Sequence, residues 1–105
     1  MCGISTVYRY TTIAKDDLKH VKSMNDQMRY RGPDGEGYWH DAHCALGHVR
    51  LSIIGTENGS QPLYNQDKSL VLVCNGEIYD YRELRQELAA KGYECTTASD
   101  CEVIL

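Results

Sequence analysis

The spacing of apolar and polar positions divides the chain into alternating strands and helices. Residues 2–9 (Cys-Gly-Ile-Ser-Thr-Val-Tyr-Arg) are a short apolar, β-rich run and predict a first strand. Asp16 and Asp17 then open a helical pattern in which Leu18, Val21, Met24 and Met28 recur at intervals of three and four. The dense turn signal Arg31-Gly32-Pro33-Asp34-Gly35 ends that helix near Arg29. Strands are predicted over Tyr38 to His40 and Ala45 to Ser52, around a turn at Asp41, with a polar loop over 55–61. Ser69 to Cys74 is the strongest strand pattern, bounded by Asn75-Gly76. Tyr81 to Lys91 aligns Tyr81, Leu84 and Leu88 on one helical face; Gly92 takes the position after the cap and Tyr93 can fold back on Leu88. Ser99-Asp100-Cys101-Glu102 has the Ser-x-x-Glu form of a capping box and predicts a third helix, cut off at Leu105.

Composition narrows the class of protein. With 105 residues, 42% apolar and 25% charged, the chain is expected to be one compact domain or part of one, neither disordered nor fibrous. The net charge of -4 and the scattered Lys and Arg give no footprint for nucleic acid. No charged stretch followed by an apolar one opens the chain, and no apolar run reaches the roughly 18 residues that cross a membrane. A cytoplasmic location with reduced thiols is therefore expected, with no membrane partner. Five cysteines stand at 2, 44, 74, 95 and 101 without a Cys-x-x-Cys pair, and the four histidines lack zinc-ligand spacing to them, which argues against a metal site. Asn58-Gly59-Ser60 matches a glycosylation pattern, yet without a secretory signal it reads as a turn.

Candidate chemistry begins at Cys2. Removal of Met1 would leave Cys2 with a thiol and a free α-amine, joining nucleophile and base in one residue. Reference pKa values of about 8.5 for the thiol and about 7.7–8.0 for the amine let both exchange protons near neutrality. By position alone Cys2 reads equally as a small residue near a ragged terminus.

Six motifs in order change the picture: Met1-Cys2-Gly3-Ile4, Arg31-Gly32-Pro33-Asp34, His48-Val49-Arg50-Leu51-Ser52-Ile53, Gln61-Pro62-Leu63-Tyr64, Asn75-Gly76-Glu77-Ile78-Tyr79 and Ser99-Asp100-Cys101-Glu102. Together they resemble the class II glutamine-amidotransferase domain of glutamine-hydrolysing asparagine synthetases, a branch of the N-terminal-nucleophile hydrolases. The resemblance runs from Cys2 to Leu105. It implies an α+β fold, a four-layer α/β/β/α sandwich with antiparallel sheets, of which 1–105 would be the N-terminal part. The synthetase domain would be missing, and uncovered sheet edges would leave an isolated chain unstable, aggregation-prone or self-associated as a homo-oligomer.

Asn75-Gly76 after an apolar strand is, locally, a hairpin signal. The resemblance implies instead that the Asn75 side-chain amide and the Gly76 N–H form an oxyanion hole. Arg50, otherwise a solvated surface charge, would grip the α-carboxylate of glutamine with its planar guanidinium. Glu77 and Asp100 would face the α-ammonium group, although Asp100 in a first helical turn is favourable without any ligand. Arg31 to Asp34 would support the pocket, while Cys44, Cys74, Cys95 and Cys101 read as inert core thiols.

The implied reaction is release of ammonia from L-glutamine through a Cys2 thioester, without a metal or organic cofactor. ATP and Mg would act only in a C-terminal synthetase domain that receives the ammonia. Two positions depart from the family pattern: Thr6 stands for a glycine and Asp80 for the asparagine that often follows Tyr79. A non-catalytic fragment or truncated paralogue, serving as a binding or interaction module, is the competing reading. A thiol-rich redox or metal protein is a third.

Overall fold

Gly3–Tyr8 (β1), Gly35–His40 (β2) and Cys44–Arg50 (β3) form an antiparallel sheet in the order β1-β3-β2 in the computed structural model, which describes residues 1–105. The pairing Gly3↔Val49, Ser5↔Gly47 and Val7↔Ala45 turns these residues to one face, as the two-residue period of a strand requires. Helix α1 (Lys15–Gln27) packs on that face. Val21 is 2% exposed, and a Cβ added to Gly47 would lie 2.8 Å from its methyl group, so small residues in β3 let the helix approach. The first turn of α1 is tied by Asp17, whose carboxylate accepts the Ala14 N–H at 2.9 Å and Arg9 Nη2 at 2.7 Å. The turn joining β2 to β3 is closed by Asp41, which accepts the N–H groups of His43 and Cys44.

A second, two-stranded sheet pairs Leu63–Tyr64 (β4) with Val71–Leu72 (β5), antiparallel. The strand predicted over Ser69 to Cys74 is therefore paired over two residues only. Its hairpin turns at 65–70, where Asn65 and Asp67 bond the N–H groups of Leu70 and Ser69 and Lys68 holds φ 58°. Asn75-Gly76 is not a hairpin turn; it begins the loop into helix α2 (Tyr81–Ala90). That helix ends in a Schellman motif: Tyr93 N–H bonds the Leu88 carbonyl, Gly92 N–H bonds that of Ala89, and Gly92 holds φ 90°.

The last element, Asp100–Ile104 (α3), is a 3₁₀ helix. Ser99 caps it by accepting the Cys101 N–H, as the motif predicts, but the other half of the capping box does not form. Glu102 instead accepts the N–H groups of Thr96 and Thr97, each at 2.7 Å, which closes the preceding turn. The chain is thus a small α+β fold with antiparallel sheets. Its fully buried apolar residues are few, namely Val21, Ala45, Val49, Leu63 and Cys101. No helix is long and apolar enough to cross a membrane.

Candidate functional site

The register of the first sheet assembles one wall of a cavity of about 330 Å³. Gly3 opposes Val49, so the next step of the ladder sets Cys2 beside Arg50 at the same sheet end. The bond from Leu51 N–H to Cys2 Sγ, at 3.3 Å, fixes the thiol there. Arg31 Nε donates to the Cys2 carbonyl at 3.2 Å. The motif around Gly32 packs against this corner: a Cβ on Gly32 would fall 2.5 Å from the Arg50 nitrogen, and Asp34 bonds the N–H of Ser52. The segment 31–34 thus supports the pocket.

All six residues singled out from the sequence, Cys2, Arg50, Asn75, Gly76, Glu77 and Asp100, line this cavity. Arg50 is 8% exposed, and its Nη2 donates to the carbonyls of Ile54 and Gly55. None of the ion pairs in the chain includes it. A buried guanidinium without a carboxylate is costly unless an anion joins it, so this wall favours an anionic ligand group. Asp100, 6% exposed, accepts the Ile78 N–H at 2.7 Å and also lacks a cationic partner. Glu77 is exposed at the rim. Neither the Asn75 side chain nor the Gly76 N–H is engaged within the chain. A Cβ on Gly76 meets no atom within 4 Å, so internal packing does not demand glycine there.

The cysteines divide. Cys101 is buried, and burial together with nearby Cys74 and Asp100 pushes its thiol up to about 12, which keeps it protonated. Burial also raises the Cys95 thiol. Cys74 and Cys101 both line the cavity, Cys101 from the buried core.

Two residues that the sequence motifs contain, but to which no role attached, are His48 and Gln61. His48 is 1% exposed and its Nε2 bonds the Cys74 carbonyl at 3.1 Å. Since a carbonyl only accepts, Nε2 carries the proton. Burial holds the imidazole below its usual pKa, hence neutral, and Nδ1 has no partner. Gln61 bonds both the N–H and the carbonyl of Cys74. Their place inside the six motifs was the available signal.

A thiol, two free hydrogen-bond donors, a buried cation and a buried carboxylate on one wall suit a zwitterionic amino acid with a reactive carbonyl. Comparison with known proteins agrees with this chemistry. A family model described as "Glutamine amidotransferase domain" matches residues 1–105. Asparagine synthetase [glutamine-hydrolyzing] 1 of Bacillus subtilis is 49% identical over 107 residues, covering 100% of this chain and 17% of the relative. Asparagine synthetase B [glutamine-hydrolyzing] of Escherichia coli is 45% identical over 105 residues, covering 100% of this chain and 19% of the relative. A probable asparagine synthetase [glutamine-hydrolyzing] of Dictyostelium discoideum is 42% identical over 106 residues and is covered to 19%. The chain thus spans under a fifth of the length of these relatives.

Proposed function

The chain belongs to the glutamine amidotransferase domain family, and from that premise we propose that it is the N-terminal part of a glutaminase module supplying ammonia for asparagine synthesis or a related ATP-dependent amide transfer. The observation that carries this reading is the cavity that gathers Cys2, the Asn75-Gly76 donors, and the unpaired charges of Arg50 and Asp100. Arg50 holds the α-carboxylate of L-glutamine; Asp100 and Glu77 hold its α-ammonium group. That fixes the side-chain amide over Cys2.

After Met1 is removed, the Cys2 α-amine accepts the thiol proton and Sγ attacks the amide carbon. The tetrahedral oxyanion is held by Asn75 Nδ2 and Gly76 N–H. Collapse breaks the C–N bond, the amine delivers its proton to the departing nitrogen, and ammonia leaves a Cys2 thioester. Water hydrolyses the thioester to glutamate and regenerates the thiol. None of these steps requires a metal or organic cofactor. ATP and Mg belong to the step that consumes the ammonia, in a C-terminal synthetase domain. The sparse core and exposed Ile4, Tyr8 and Leu70 are consistent with a four-layer sandwich in which further chain covers these faces.

Glutamate release from L-glutamine, measured beside Cys2→Ala and with mass spectrometry of the N-terminus, tests the reading. Activity confined to chains with Cys2 intact and Met1 removed supports it. Equal release by Cys2→Ala, or activity with Met1 retained, overturns the mechanism. Glutamine binding without any turnover would favour the interaction-module reading.

A further inference from the structure

We propose that Gln61, together with His48, is a positioning residue for the Asn75-Gly76 oxyanion hole; this rests on the glutaminase reading above. The pairing Leu63↔Leu72 continues by two residues to bring Gln61 opposite Cys74. The main-chain pairing itself ends at Leu63↔Leu72. The Gln61 side chain completes it instead: Oε1 accepts the Cys74 N–H at 2.6 Å and Nε2 donates to the Cys74 carbonyl at 3.1 Å. His48 Nε2–H meets the same carbonyl from the first sheet, also at 3.1 Å.

A carbonyl has two lone pairs, and here both are engaged. The peptide plane between Cys74 and Asn75 is therefore held from both sheets. Past it, the Gly76 carbonyl faces the Cys101 thiol at 3.7 Å. Asn75 is suspended between two tethered carbonyls, and its side chain and the Gly76 N–H remain free to meet a developing negative charge. Gln61 lines the cavity, but its amide is spent on Cys74, so it acts on the reaction through the backbone of the hole.

Hydrogen-bond donors aimed at a transition state lose their effect when displaced by about 1 Å, which costs on the order of 100-fold. Gln61→Met keeps the volume and removes both bonds to Cys74; Gln61→Glu keeps the acceptor and loses the donor. Steady-state glutaminase kinetics on the full chain is read for both variants, for Asn75→Ala, for Gln61→Met/Asn75→Ala and for Cys2→Ala. Gln61→Met is expected to lower kcat about 10- to 100-fold with KM little changed, and Gln61→Glu to fall between. In the Asn75→Ala background, Gln61→Met should lower kcat far less, because the donor it positions is already gone. Equal losses in both backgrounds, or a raised KM with kcat intact, overturn the proposal. No release from the unaltered chain refutes the glutaminase reading itself, and release that persists in Cys2→Ala refutes its Cys2 mechanism. Release lost in Cys2→Ala but unchanged in Gln61→Met and Gln61→Glu refutes only the positioning role.

Discussion

Arg50 and Asp100 stand on the wall of one cavity, both nearly buried, and form no ion pair with each other. Arg50 comes from the end of β3 and Asp100 from the start of α3, half the chain apart in sequence. Each is held by backbone: Arg50 by the carbonyls of Ile54 and Gly55, Asp100 by the N–H of Ile78. Two opposite charges kept apart in this way are complementary to a ligand that carries both.

Asp100→Asn is the most direct test of that complementarity. The asparagine oxygen can still accept the Ile78 N–H, so the loop stays in place while the charge disappears. KM for glutamine is expected to rise about tenfold or more, with kcat changed less. Arg50→Lys should act in the same direction, since an ammonium cannot reproduce the two-pronged grip on a carboxylate. Steady-state glutaminase kinetics checks both; unchanged KM in either variant would remove that residue from substrate binding.

Gly32 is held to glycine by the backbone of β3, whereas Gly35 is not. A Cβ at position 32 would sit 2.5 Å from Arg50 N and from the Val49 carbonyl carbon, but at position 35 nothing lies within 4 Å. Gly32→Ala should destabilise the chain by about 1–3 kcal/mol through overpacking. Gly35→Ala should stay within about 0.5 kcal/mol. Urea unfolding monitored by circular dichroism distinguishes them, and the Gly32 variant should also weaken glutamine binding through Arg50.

Acid stability should change first through His48. Burial depresses its folded pKa, so the unfolded chain binds the proton more readily. The stabilising contribution of neutral His48 is complete above the unfolded value of about 6.5 and is lost as pH falls from there through the folded value. His48→Gln, which keeps a donor near Nε2, should flatten the pH dependence of urea midpoints in this window. Identical slopes would show that His48 does not titrate with unfolding.

A second acid window belongs to Asp17. The Arg9 guanidinium and the Ala14 N–H hold its carboxyl below the usual carboxylate range. Stability from this group is present above about pH 3.9 and lost as pH falls toward the folded value. Asp17→Asn should be less stable at neutral pH and should lose less on acidification to pH 3, as thermal unfolding at the two pH values would reveal.

By itself the sequence picked out residues that come to line one cavity, and the local elements that carry them. The 3.6-residue period of Leu18, Val21 and Met24 specified α1, Gly92 after the face of Tyr81, Leu84 and Leu88 specified the left-handed stop of α2, and six ordered motifs named the cavity lining, because each signal resides in a few neighbouring residues. Tertiary structure alone decided the rest. Ser69 to Cys74 has strand character in sequence, but whether an extended segment finds a main-chain partner depends on what lies across from it, and opposite Cys74 that partner is the side chain of Gln61. Asn75-Gly76 carries a hairpin signal, yet a turn forms only if a second strand returns, and here α2 follows. The capping box at Ser99 formed only in half because Glu102 found the amides of Thr96 and Thr97. Arg50 could be read as a solvated charge until the fold buried it beside Cys2. Hydrogen bonds and burial between distant residues are pair properties of the folded chain, and no window of sequence contains both members.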